Sequence, residues 1–219
     1  MKTFIASLFL AFTAFSASAS DTKEMEGALR ASITKMTSTM GDYAAMTQAS
    51  TEFDLIAEAN PDQWIAQYYA SWAKVILSYN EPDLAKKDLL LDQADIYMEA
   101  ITAMNVESEE RYILAALIAN GRMAVDGENR WKQYGKIFDD NLAKAKAINP
   151  NNVHYFYLKG VATYFMPKFI GGGAKKALPY LDKAKSLYPS YDKNNVMIPY
   201  WGEEMTDYFI GECKKDTEK

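Results

Sequence analysis

Apolar residues along most of the chain recur at intervals of three and four positions, which places them on one face of an α-helix. These stretches are rich in Ala, Leu, Met, Lys and Glu, all of which favour helix. The strict alternation that is typical of β-strands is nearly absent, and the few prolines are expected between the helical stretches. The pattern therefore predicts an all-α fold.

Four segments share one frame of apolar and small residues. Within each frame the second position follows the first by four residues, the third follows by three more, and the last by a further five. The first three positions lie on one face of a helix, and the last lies just beyond its end, where proline is tolerated. The frames are Ala49-Phe53-Ile56-Pro61, Ala94-Met98-Ile101-Val106, Phe138-Leu142-Ala145-Pro150 and Ala177-Leu181-Ala184-Pro189.

This frame resembles the second helix of the tetratricopeptide repeat. The first helix of that repeat carries a large residue and, four positions later, a small one. The corresponding pairs here are Tyr112 with Ala116, Phe156 with Gly160 and, as a weaker match, Gln67 with Ser71. The resemblance covers about residues 30–189 and implies a short superhelix of about 3.5–4 antiparallel helix pairs.

The frames are more widely spaced than in the standard repeat, whose period is 34 residues. Successive frames start 45, 44 and 39 residues apart, and the extra residues fall inside each pair, within 77–92, 121–136 and 166–174. We therefore expect lengthened helices and intra-pair connections. After Pro189 the frame stops, and a final helix at about 200–213 is predicted to cap the last apolar face.

The first nineteen residues are typical of a secretory signal peptide. Lys2 precedes an uncharged apolar run that ends in Ala17-Ser18-Ala19, so cleavage is expected after Ala19. The run is too short and too polar for a membrane span. No cysteine near the start could carry a lipid, which excludes a lipoprotein. The mature chain, residues 20–219, is expected to be one periplasmic or secreted helical domain without a membrane span.

The composition argues against nucleic acid as a partner and against disulfide bonding within the chain. The net charge is −5, and no cluster of Lys and Arg is dense enough to bind phosphates. Cys213 is the only cysteine, so no intramolecular disulfide can form. We expect Cys213 to serve as a small apolar residue in the terminal helix.

No motif predicts catalysis, a metal or a cofactor. His154 is the only histidine, so a catalytic triad or a zinc site lacks its partners, and a surface or groove position is expected for it. Asp126-Gly127-Glu128-Asn129 does not fit a calcium loop. The segment 171–176, Gly-Gly-Gly-Ala-Lys-Lys, lacks the spacing and the strand of a phosphate loop. The protein is not expected to be an enzyme.

In tetratricopeptide repeats the first helices line a concave face, and the frame projects an apolar and aromatic set of residues onto it. Either this groove receives an apolar peptide or a small hydrophobic ligand, or the chain fills it with its own terminal helix. The candidate binding residues are Tyr68, Trp72, Ile113, Leu117, Asn120, His154, Tyr157, Val161 and Tyr164.

These features together favour a non-catalytic periplasmic or secreted scaffold that binds a protein or peptide. The alternative is a small-ligand module similar to the tetratricopeptide-like T-component of TRAP transporters. The aromatic segment after Asn60-Pro61, the glycines before the last frame and the Pro199–Gly202 segment also resemble small exported tetratricopeptide proteins of the Bacteroidetes. The identity of the partner and the oligomeric state stay open at this level.

Overall fold

The computed structural model describes residues 19–217, which contain nine α-helices and no β-strand. The predicted signal peptide thus lies almost entirely outside the described residues. The helices are α1 (Ala19–Ser38), α2 (Tyr43–Ala59), α3 (Trp64–Asn80), α4 (Leu84–Ala103), α5 (Glu109–Val125), α6 (Gly127–Ile148), α7 (Val153–Phe165), α8 (Ala174–Leu187) and α9 (Glu203–Thr217).

The helices form consecutive pairs, and the four frames coincide with the second helix of each pair, α2, α4, α6 and α8. The frame residues within the helices, except the half-buried Met98, are buried because they face the preceding helix of the pair; Phe53, Ala94 and Leu181 are fully buried. The predicted all-α, repeat-like fold is therefore confirmed. The first pair, α1 with α2, is present as well, so the described chain contains four pairs.

The extra length predicted inside each pair is distributed unevenly. In the second and third pairs it lengthens the helices: α4 has 20 residues and α6 has 22, and the turns between partners are short. Asp83 and Asp126 cap α4 and α6, because their carboxylates accept hydrogen bonds from backbone N–H groups of the first turn. In the fourth pair the extra residues form a connection, 166–173, between α7 and α8.

Helices α7 and α8 approach closely at Gly160. A Cβ atom at this position would lie 2.7 Å from Cγ and Cδ2 of Leu181, and 3.3 Å from the Leu181 backbone nitrogen. The fully buried Leu181 of the fourth frame therefore leaves space only for a small residue at Gly160, as predicted for the first helix of the pair. Proline is less regular than expected, since Pro179 lies inside α8 and not between helices.

Replacing Gly160 with alanine is expected to lower the free energy of unfolding by about 1–3 kcal/mol, because the added methyl group overpacks the interface with Leu181. Urea unfolding followed by circular dichroism measures the change in the free energy of unfolding. The matched control is Gly211→Ala in α9, where a Cβ atom would meet nothing within 4 Å and a stabilisation of about 0.5–1 kcal/mol is expected. Equal responses of the two variants would contradict the close approach.

The final helix starts later than predicted, at Glu203, because Gly202 adopts a positive φ of 86°. It packs against α8 and α7, and the Cys213 thiol is buried in that contact. Burial raises the pKa of Cys213, which keeps the thiol protonated and unreactive. Residues 191–202, which we call the strap, contain no α-helix and lead from α8 to α9.

Candidate functional site

The predicted concave-face residues are largely covered by the chain itself. Five of them are buried: Tyr68, Trp72, Ile113, Leu117 and His154. The other four, Asn120, Tyr157, Val161 and Tyr164, are half-buried. The chain itself covers part of this face: the strap packs on Tyr68, His154 and Tyr157, and the terminal helix α9 packs on Val161 and Tyr164.

Trp201 is the anchor of the strap. Its indole ring stacks on the imidazole of His154, with ring centroids 4.1 Å apart and planes inclined by 11°. The ring of Tyr157 meets it edge-on, at a centroid distance of 5.7 Å. The indole N–H donates a hydrogen bond to the hydroxyl of Tyr68, at 2.9 Å. The three predicted residues Tyr68, His154 and Tyr157 thus form a slot that holds one aromatic side chain.

A buried carboxylate lies behind this slot. Glu110 accepts hydrogen bonds from the Tyr68 hydroxyl, at 3.0 Å, and from the side-chain amide of Asn152, at 2.6 Å. His154 Nδ1 lies 2.9 Å and 3.0 Å from its two oxygens. Because a carboxylate only accepts, the Nδ1 proton belongs to the imidazole. Burial and the Glu110 charge raise the pKa of Tyr68, which therefore stays a neutral donor.

Of the two positions expected for His154, the surface or the groove, the structure places it in the groove, where it is fully buried. Its imidazole is compatible with burial because Glu110 satisfies Nδ1 and Trp201 covers the ring. Sequence reasoning also missed Trp201, which was predicted only as the start of a capping helix. Asn152 was missed too. It caps α7 and also donates a hydrogen bond to Glu110. Only the capping role could be predicted from the sequence.

The remaining predicted residues do not join the slot. Asn120 accepts a hydrogen bond from the hydroxyl of Tyr79, at 2.8 Å. Val161 and Tyr164 pack under α9, where the ring of Tyr164 lies 5.6 Å from that of Phe209. The predicted surface is therefore divided between the strap, α9 and the general core.

Two buried side-chain polar atoms within residues 19–217 have no hydrogen-bond partner: Nε1 of Trp72 and Nε2 of His154. Both belong to the predicted concave-face set. Unpaired buried polar atoms are unfavourable and rare in native proteins, so each marks a position where a hydrogen-bonding group would be stabilising.

A second candidate site lies at the connection between α7 and α8, which contains the glycine segment that does not match a phosphate loop. The turn is tightly built. A Cβ atom on Gly172 would lie 2.0 Å from the carbonyl oxygen of Met166, and Gly171 and Gly173 both have positive φ. The N–H of Gly173 donates to the carbonyl of Thr163, at 2.8 Å. These contacts fix the turn against the end of α7.

Beside this turn, α7 and α8 enclose an open cleft of about 430 Å³. Its lining combines cationic, apolar and phenolic groups: Lys159, Thr163, Met166, Gly171, Lys176, Pro179 and Tyr180. Lys159 is paired with Asp139 at 2.8 Å, whereas Lys176 forms no salt bridge with any residue of the described range. Within the described range, Lys176 is therefore the one lysine of the cleft lining without a carboxylate partner.

The turn and the end of α7 also present three exposed apolar side chains, among them Phe169, the most exposed large apolar side chain of residues 19–217. Phe169 is 88% exposed, Phe165 is 70% exposed and Ile170 is 56% exposed. Large apolar side chains that are grouped and exposed mark an interaction site. We call these three residues the apolar tip.

Other side-chain clusters are explained by the fold. Arg122 is buried between Asp88, Asp92 and Asp95, and Arg130 binds Asp88 as well, so two guanidinium groups offset two of the three carboxylate charges. Across residues 19–217 no three His, Cys, Asp or Glu side chains are placed to hold a metal ion. None of the helices in the same range is long and apolar enough to cross a bilayer.

No protein-family model matches the chain, and no curated protein sequence matches it. Among solved structures, the HusA haemophore from Porphyromonas gingivalis is similar, with a TM-score of 0.73 and 24% sequence identity. The alignment covers 90% of this chain and 94% of that chain. At this identity the likeness establishes a common fold and leaves function to the site itself.

Proposed function

We propose that this protein is an exported, non-catalytic binding module for a small, planar and anionic ligand of the porphyrin class. The observation that carries the proposal is the cleft between α7 and α8, with lysines at its rim and the apolar tip beside it. The proposal takes up the alternative function considered from sequence, a small-ligand helical module.

The chemistry of the cleft matches such a ligand. A porphyrin dicarboxylate presents a flat apolar ring and two carboxylates at one edge. Met166, Pro179 and Tyr180 offer apolar and aromatic surface to the ring. Lys176 offers a cation to one carboxylate, and Lys159 offers a second by exchanging its exposed partner Asp139 for the ligand.

The structural neighbour supports the same ligand class, because that protein is a haemophore with the same fold over nearly its whole length. An exported haemophore-like role also agrees with the signal peptide proposed for residues 1–19. The recurrence of one frame on α2, α4, α6 and α8 supports a tetratricopeptide-like origin of the helix pairs.

Haemin and metal-free protoporphyrin IX are expected to bind the mature protein, and the double charge reversal Lys159→Glu/Lys176→Glu is expected to weaken both at least about tenfold. The reason is that two attractive charges at the carboxylates become repulsive. Titration followed by porphyrin absorbance, at low ionic strength, measures the affinities.

The matched control is Lys86→Glu/Lys87→Glu in the first turn of α4, which makes the same change in net charge away from the cleft. This control is expected to bind both porphyrins as the wild type does. Equal weakening by the two double variants would show that only net charge matters. Absence of binding to the wild type would rule out the ligand class.

A scaffold for a protein or peptide partner is the second candidate function. The observation that favours it is that the concave face already holds a non-helical polypeptide segment, the strap, through the side chain of Trp201. The scaffold function is tested by affinity capture from an extract of exported proteins, in which the wild type is compared with Tyr157→Ala. A partner retained by the wild type and lost by the variant supports the scaffold, whereas an unchanged set contradicts a role of the groove.

A further inference from the structure

The apolar tip is held in place by a closed turn of backbone. Ile170 N donates a hydrogen bond to the carbonyl of Pro167, and Gly171 N donates one to the carbonyl of Lys168, both at 3.1 Å. Phe169 and Ile170 are therefore kept at the surface by the fold of the turn itself. Their exposure opposes stability, since apolar side chains in water gain nothing from burial.

Lysines accompany the tip without acidic residues between them. Residues 141–181 contain six lysines and no Asp or Glu, although the whole chain has 29 acidic against 24 basic side chains. Lys168 lies within the turn, and its side chain packs over Gly173, where a Cβ atom would lie 3.0 Å from Lys168 Cγ. Lys175 and Lys176 follow in the first turn of α8. All three lysines are exposed, and none forms a salt bridge with a carboxylate in the described part of the chain.

The position of Lys175 and Lys176 does not stabilise α8. Cations are unfavourable in the first turn of a helix, because the helix dipole is positive there. The first turn of α8 contains no acidic residue to offset them. These charges therefore add to the positive potential beside the apolar tip, and the packing of α8 gives no reason for them.

The tip is too small for a stable protein–protein interface. Phe165, Phe169 and Ile170 together expose roughly 400 Å² of side-chain surface, whereas each partner in a stable complex buries about 800 Å². The interiors of protein interfaces are also depleted in lysine. Every charged residue of the segment 160–181 is a lysine. A fluid surface of opposite charge requires neither a large matched area nor fixed polar partners.

This combination of groups fits the interface of an anionic bilayer. Aromatic and aliphatic side chains enter the boundary between lipid headgroups and acyl chains. The long apolar stem of a lysine lets its ammonium group stay among the lipid phosphates. Peripheral binding takes two weak signals together, an apolar insertion and a basic patch, and the tip has both on one turn.

We propose that the apolar tip, together with Lys168, Lys175 and Lys176, is a docking surface for an anionic lipid bilayer. Phe169 and Ile170 enter the headgroup boundary, and the three lysines contact lipid phosphates. Association is peripheral and reversible, because only the turn and the start of α8 take part. This activity goes beyond the proposed ligand binding: it brings the cleft to a membrane surface, whatever ligand the cleft holds.

Cosedimentation of the mature protein with large vesicles of phosphatidylcholine and phosphatidylglycerol in equal parts tests the proposal, with no porphyrin present. Vesicles of phosphatidylcholine alone are expected to bind at least about tenfold more weakly, since each lysine near an anionic surface contributes on the order of fivefold in affinity. Phe169→Ser/Ile170→Ser and Lys168→Glu/Lys175→Glu are each expected to weaken binding to the mixed vesicles at least about tenfold. None of these four residues lines the cleft.

Matched controls make the same chemical changes on α4. Leu89→Ser/Ile96→Ser removes two apolar side chains that are 60% and 63% exposed, and Lys86→Glu/Lys87→Glu makes the same change in net charge. Both controls are expected to bind the mixed vesicles as the wild type does. Circular dichroism is expected to show that the tip variants are folded, because every exchanged side chain of the tip is exposed.

Insertion of the tip has a readout of its own. Cys213 is the only cysteine and is buried, so Phe169→Cys can be labelled selectively with an environment-sensitive fluorophore. The emission of this label is expected to shift to the blue on the mixed vesicles. The same label on Leu89→Cys is expected to keep its emission, because α4 stays in water.

No sedimentation of the wild type with the mixed vesicles would overturn the docking surface, and so would equal weakening by the tip variants and their controls. Capture of an exported protein that is lost in Phe169→Ser/Ile170→Ser, without vesicle binding, would assign the tip to a protein partner instead. Vesicle binding by a protein that binds neither haemin nor protoporphyrin IX would refute the proposed ligand class and support the docking surface, so the two outcomes are separate.

Discussion

Replacement of Glu110 with alanine is expected to lower the free energy of unfolding by about 3–5 kcal/mol, because it removes the acceptor from a buried, charged hydrogen-bond network. The Tyr68 hydroxyl, the Asn152 amide and Nδ1 of His154 would all lose their common partner. Each is buried, so water cannot easily replace the carboxylate. Urea unfolding monitored by tryptophan fluorescence measures the loss.

The neighbouring residue Glu109 provides the matched control. Its carboxylate accepts a hydrogen bond from the side chain of Asn149, at 2.9 Å, in a more exposed position. Glu109→Ala is therefore expected to cost no more than about 1 kcal/mol. A loss below about 1 kcal/mol for Glu110→Ala as well would show that the network does not hold α3, α5 and α7 together.

The helix pairs could be predicted because their determinants are local and periodic. Alanine and large apolar residues at spacings of four and three define one helix face, and Pro61, Pro150 and Pro189 mark where three of the helices have ended. The repeat then fixes which helices pair. Gly160 illustrates the reach of this reasoning, since its predicted small size is explained by contact with Leu181 of the frame.

The contents of the groove could not be predicted in the same way. The strap has no periodic pattern, and its position depends on Trp201 meeting Tyr68, a residue far away in sequence. The cleft could not be predicted either, because Lys159 and Tyr180 come together only when α7 packs on α8. Sequence identified which helix faces would be apolar, but not which segment would cover them.

Replacement of Trp201 with alanine is expected to destabilise the protein by about 3–5 kcal/mol, because a large buried aromatic side chain is lost. The reference is Trp131→Ala, where the side chain is exposed and a change within about 0.5 kcal/mol is expected. Thermal unfolding by circular dichroism compares the two variants. A similar, small effect of both would mean that Trp201 is not the anchor of the strap.

Free indole is then expected to restore part of the stability of Trp201→Ala, because the slot keeps its shape and its acceptor. At ten times its dissociation constant indole would contribute about 1.4 kcal/mol. 1-Methylindole fills the same space but cannot donate to Tyr68, so a weaker effect is expected. Restoration by indole and not by its methyl derivative would separate a preformed, hydrogen-bonding slot from a purely apolar cavity. No restoration by either would mean that the slot collapses when the Trp201 side chain is removed.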